Sequence, residues 1–224
     1  MEVFLDQFLN PAVLAKYTPL ILKGAGVTVL LSVLIVLAGI ALGTALACLR
    51  AYRIAALSLP IVIYADIFRA LPPLVLILLA YFGLPNVGVL LSSFTVLFLI
   101  LTLVLAAFAE EIVWAGITAT PKGQWEAARS TGLTFTWTLG HVVLPQALRM
   151  VIPPLTNRAI AITKMTALGM VIGVPDILGQ ATTAQSFSAN ASPLTLAAVA
   201  YVILFLPFVI ASRWLEARFA PPGA

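Results

Sequence analysis

Apolar positions in this chain gather into long runs with few charges, and polar positions collect elsewhere. A bilayer core of about 30 Å takes about 20 mostly apolar helical residues, and five runs reach that length. They cover about 24–49, 57–82, 87–109, 159–178 and 193–211; the second encloses Asp66 and Arg69, and the fourth encloses Lys164. The stretch 110–158 differs in kind, because eight of the 21 ionisable residues fall there. That stretch is predicted to sit in water or at the membrane surface. The pattern predicts an all-α membrane protein of five transmembrane helices, folded as one domain over 1–224.

Orientation follows from the cations, which collect on short cytoplasmic segments. With the N-terminus outside, Arg50, Arg53, Lys122, Arg129, Arg149, Arg158, Arg213 and Arg218 fall inside, against Lys16 and Lys23 outside. Five spans then leave the C-terminus in the cytoplasm. The opening segment up to Pro19 is expected along the outer surface, and the outer loops are expected around 85–88 and 180–192. The first ten residues carry Glu2 and Asp6 rather than a basic n-region, so no cleavable signal peptide is expected.

Composition agrees with the membrane reading: 62% of residues are hydrophobic, 9% are charged, and the mean hydropathy is +1.12. So few charges cannot clothe a soluble globule. A disordered chain and a nucleic-acid binder are excluded on the same ground, since the net charge of +4 is scattered. The single cysteine, Cys48, allows neither a disulfide nor a Cys-based metal site. His141, the only histidine, lacks the company that a metal site or proton relay needs. Gly39 and Gly43 form a G-x-x-x-G that permits close helix packing.

Inside the polar stretch, Thr120 and Pro121 read as a helix start and Gly132 as its stop. The helix between them, about three turns long, is too short and too polar to span. It presents two adjacent alanines, and Glu126 suits its early turns. The shape fits a plug for a groove on another protein.

Glu126-Ala127-Ala128, three residues, Gly132, nine residues, Val142, one residue and Leu144-Pro145 resembles the EAA loop of ABC-importer permeases, E-A-A-x3-G-x9-I-x-L-P. Only Val142 departs. The flanks, Pro121-Lys122-Gly123-Gln124-Trp125 and Pro145-Gln146-Ala147-Leu148-Arg149, are similar to those of polar amino-acid uptake permeases. The resemblance implies a type I importer permease subunit in the cytoplasmic (inner) membrane of a prokaryote. It implies a second permease chain, identical or not, an extracytoplasmic substrate-binding protein, an amino-acid substrate and a pair of cytoplasmic ABC ATPases. It also implies that the loop at about 118–145 seats a coupling helix in the ATPase, through Gly123, Gln124, Glu126, Ala127, Ala128, Gly132, Leu144 and Pro145. No G-x-x-x-x-G-K-[ST] loop is present, so no cofactor is expected on this chain, and ATP and Mg²⁺ are expected on the partner ATPase.

Ionisable residues inside spans are pathway candidates by default. Asp66 and Arg69 lie three apart on one helix face before Pro72-Pro73, where an internal ion pair is the simpler reading. Arg69-Ala70-Leu71-Pro72 resembles a family R-G-T-P without its Gly and Thr. Glu110 reads as interfacial. Glu111 resembles the first residue of a family E-x-x-R whose Arg is Trp114 here, leaving Glu111 to meet another cation such as Arg69 or Arg149. Lys164-Met165-Thr166-Ala167-Leu168 resembles K-D-T-S-L, where Lys164 and Thr166 either line the pathway or gate it, or Lys164 snorkels to the interface. Asn157 and Arg158 read as anchors of the fourth span. No serine within the spans has a histidine partner there, which argues against a membrane hydrolase. Hydropathy alone leaves a secondary transporter or channel of the inner membrane open, and the EAA loop is what discriminates.

Overall fold

A computed structural model describes residues 1–219, with side chains through Leu215. The segment 220–224 and the side chain of Arg218, counted above among the inner cations, lie outside the described residues.

Helices joined by short connections make up the described chain. Helix α1 (Glu2–Leu9) stops at Asn10, whose side chain accepts from the backbone N–H groups of Ala12 and Val13 and so caps α2 (Pro11–Ala51). Proline at the first helical position costs α2 no hydrogen bond. The opening segment up to Pro19 thus comprises α1 and the first turns of α2, one helix of 41 residues that runs on through Pro19.

The expected second span is broken. Consecutive prolines push Leu71 and Pro72 into extended backbone, separating α3 (Ala55–Ala70) from α4 (Pro73–Gly83). A 3-10 turn (Leu84–Val87) and a left-handed Gly88 follow. Helix α5 (Ser93–Ala119) then begins and ends well past the expected 87–109. Its acidic pair does not end the helix because both carboxylates find guanidinium partners within the fold.

Helix α6 (Lys122–Ser130) and α7 (Phe135–Thr138) lead through a π-helical turn (Leu139–Val143) into α8 (Leu144–Lys164). The expected fourth span is thus shifted: α8 starts fifteen residues earlier, then tightens into a 3-10 segment (Met165–Ile172). Much of the expected outer loop at 180–192 is instead helix α9 (Ile177–Ser188), followed by α10 (Ser192–Phe219). Among the described residues, four helical stretches are long and apolar enough to cross a membrane, or five if the broken pair Ala55–Ala70 and Pro73–Val87 forms one span.

The chain divides into two compact units. One comprises 1–35, 72–101 and 160–210, and its core gathers Ile21, Ile177, Ala181 and Ala197. Ala191 and Asn190 hydrogen-bond the backbone of Gln7 and Asp6, which ties α1 to the start of α10. The other comprises 36–71, 102–159 and the C-terminal segment, around Ala109, Val113, Ile117, Leu139, Val143, Ala147 and Val151. Gly43 lets α2 and α5 touch within this unit: a Cβ there would lie 2.6 Å from the Ala106 carbonyl oxygen. The stretch 110–158 is consequently not simply solvated, since its apolar side chains supply most of that second core.

Candidate functional site

Helix α6 is held by one face. Trp125 and Ala128, three apart, turn inward; Trp125 stacks on Phe135 at 5.3 Å and Ala128 is buried. Lys122, Gly123, Gln124, Glu126, Ala127, Arg129 and Ser130 remain exposed. Only one of the two adjacent alanines therefore faces outward, because the other packs on its own chain. The start is also displaced by one residue from expectation: Pro121 occupies the cap, and Thr120 is buried with its hydroxyl donating to the Gly116 carbonyl. Gly132 follows the helix at φ +89°, a left-handed turn open to glycine at no steric cost. Gln146 of α8 donates to the Gln124 side chain at 3.2 Å, bridging the two ends of the loop. Leu144 is half-buried and Pro145 exposed at the start of α8.

A charge cluster occupies the same unit. Glu110 is completely buried within the protein, and one Arg50 nitrogen donates to its two carboxylate oxygens at 3.0 and 3.2 Å. Arg50 also reaches Glu111 at 3.4 Å, and Arg69 joins Glu111 at 3.1 Å and Asp66 at 3.8 Å. Asp66, Arg69 and Glu111 are thus brought together, with Arg69 rather than Arg149 as the partner of Glu111. Trp114, standing where the resemblance has Arg, lies under the Arg50 guanidinium at 4.7 Å. Arg158, on α8, stacks over the Phe108 ring at 3.8 Å.

Lys164 and Thr166 lie in the other unit. Lys164 is exposed, with its ammonium 5.9 Å from the Phe205 ring, and it edges a cleft of about 470 Å³ lined also by Ala167, Tyr201 and Leu206. Thr166 is buried and donates to the Thr163 carbonyl. Sequence reading passed over Asp176. It is fully buried, caps α9 by accepting from the Gly179 N–H at 2.8 Å, and accepts from the Tyr201 hydroxyl at 3.1 Å. The signal was present as an Asp after Pro175 and three residues before Gly179, but it was hidden inside an apolar run.

The family described as binding-protein-dependent transport system inner membrane component matches residues 35–221. The probable glutamine ABC transporter permease protein GlnM of Bacillus subtilis is 34% identical over 94% of this chain and 98% of its own. The arginine ABC transporter permease protein ArtQ of Haemophilus influenzae is 32% identical over 92% and 96%. In a crystal structure of an amino acid ABC transporter with histidines, a 34% identical chain superposes with a TM-score of 0.82, covering 92% of this chain and 96% of that one. The inward-facing MetNI methionine ABC transporter, at 21% identity over 90% and 94%, shares the fold with a TM-score of 0.66. With a family match over most of its length and relatives aligned nearly end to end, the chain belongs to the binding-protein-dependent transport system inner membrane components, the multi-pass permease subunits of ABC transporters.

Proposed function

We propose that this chain carries a polar amino acid across the cytoplasmic membrane of a prokaryote, with its N-terminus outside and its C-terminus in the cytoplasm. It pairs with a second permease chain and receives substrate from an extracytoplasmic binding protein. A pair of ABC ATPases holds the ATP and Mg²⁺, and this chain binds neither. Relatives named for glutamine and arginine transport support the substrate class.

One observation carries the coupling assignment. Helix α6 is anchored to its own unit by Trp125 and Ala128 while the Glu126 face stays open, so a partner that grips that face pulls on the core behind it. The permease has no chemistry to perform. It needs two packings of unequal stability, each favoured by a different state of the ATPase.

Reconstitution with the ATPase and binding protein tests this. Glu126→Lys is expected to insert normally and to lower amino-acid uptake per ATP hydrolysed by about tenfold or more. Wild-type coupling in that variant removes the assignment, and constitutive ion conductance by the isolated chain would replace it with a channel.

A further inference from the structure

The cleft at Lys164 lies wholly within the unit that contains 160–210. Its volume is about 470 Å³, and most of its wall is apolar, with Ala167, Val202, Phe205 and Leu206 among the residues that line it. Two polar residues join them, Lys164 and Tyr201. The Tyr201 hydroxyl is committed, donating to the buried carboxylate of Asp176 at 3.1 Å. Lys164 is not. Its ammonium lies 5.9 Å from the Phe205 ring, which turns it from the end of α8 toward α10, and among the described residues no carboxylate pairs with it.

An apolar wall with one cation at its edge selects among occupants. A polar amino acid brings an ammonium as well as a carboxylate, and no residue lining the cleft supplies a carboxylate to receive it. A helix of a second permease chain would match the wall but would bury the Lys164 charge, which then needs an anion of its own. A phospholipid meets both conditions, with an acyl chain for the wall and a phosphate for the ammonium. Basic pockets between transmembrane helices hold anionic headgroups in this way. The shape agrees. On α10 the lining runs from Tyr201 to Val209, eight residues or about 12 Å along the axis, which makes a groove for a chain. Val202 and Leu206 line this groove and are themselves exposed, beside exposed Ile203 and Ile210. The cleft is therefore continuous with the outer apolar surface of a helix long and apolar enough to cross a membrane.

We propose that the cleft at Lys164 is a binding site for an anionic phospholipid, with one acyl chain along Val202, Phe205 and Leu206 and the headgroup phosphate on the Lys164 ammonium. The site is independent of which substrate the permease carries.

The test uses the whole permease–ATPase complex, purified in detergent, stripped of lipid and titrated with palmitoyl-oleoyl phosphatidylglycerol or with the phosphatidylcholine of the same chains. Native mass spectrometry counts the lipid bound. Wild type is expected to bind the phosphatidylglycerol about fivefold more tightly, the preference that one lysine beside an anionic headgroup confers. Lys164→Gln is expected to bind the two lipids alike. Val202→Trp, which fills the cleft from its exposed side, is expected to weaken both by about fivefold or more, and Leu206→Trp serves where that variant does not assemble. No preference in wild type, a preference that survives in Lys164→Gln, or unchanged binding in the tryptophan variants overturns the site. So does displacement of the phosphatidylglycerol by glutamine or arginine, which assigns the cleft to the transported amino acid. So does separation of the permease pair in Val202→Trp, which assigns it to the second permease chain.

Discussion

At Glu110 a fully buried carboxylate meets a guanidinium that is 17% exposed, and the same Arg50 lies over Trp114. Taking both charges out of water is costly, so the pair is poor evidence of net stability. Breaking it by removing one member is another matter, because the other is left buried and uncompensated. Glu110→Ala is expected to destabilise the protein by about 3–5 kcal/mol, measured by denaturant unfolding in detergent, while Arg50→Met with Glu110→Leu recovers most of that loss. If the double variant is as unstable as Glu110→Ala, packing rather than the stranded charge sets the cost. This cluster also shows where sequence reading stops. Trp114 breaks the expected E-x-x-R, but its guanidinium is restored in space by Arg50, some sixty residues earlier, and no local spacing reports such a partner.

The elements were legible where a local rule governs them. Gly132 marks the end of α6 in sequence and has φ +89° in the structure, and Pro72-Pro73 announced a disturbance of the second run. Boundaries misread were those set by tertiary partners: α5 runs on past Glu110 because that carboxylate is neutralised inside, and α9 forms where a polar loop was expected because Asp176 caps it. In the loop at 118–145 the motif located the helix, while the inward turn of Ala128 depends on Trp125 meeting Phe135, which the motif does not encode. Gly132 offers a test at this scale. A Cβ there would meet nothing within 4 Å, so any penalty of substitution comes from the backbone conformation alone, about 1–2 kcal/mol. Gly132→Val is expected to lower uptake per ATP hydrolysed more than Gly132→Asn, since Asn tolerates the left-handed region and a β-branched residue does not. Equal losses would show that crowding against the ATPase, not the helix exit, is what the glycine prevents.

Across the whole molecule, each of the two units keeps its own core and its own buried acid: Glu110 in one, Asp176 in the other. Helix α6 belongs to the unit of Glu110, and the cleft at Lys164 to the unit of Asp176. Asp176 gathers several elements at one point, with its side chain on the α9 N-terminus and on Tyr201 of α10. Thr28 of α2 accepts from the N–H of Ile177, and Gly24 leaves room for the Asp176 carbonyl. Asp176→Ala strands the Tyr201 hydroxyl and uncaps α9, a loss of about 1–3 kcal/mol for buried hydrogen bonds left unmade. If stability is held separately in the two units, that loss is confined to local opening of one of them. Amide hydrogen exchange of the intact protein in detergent is expected to quicken in 177–188 and at the start of α10, with 122–130 and the Val143–Val151 core unchanged. Quickening of α6 by the same factor would show that the two cores open as one, and that motion at α6 cannot be altered without altering α9 as well.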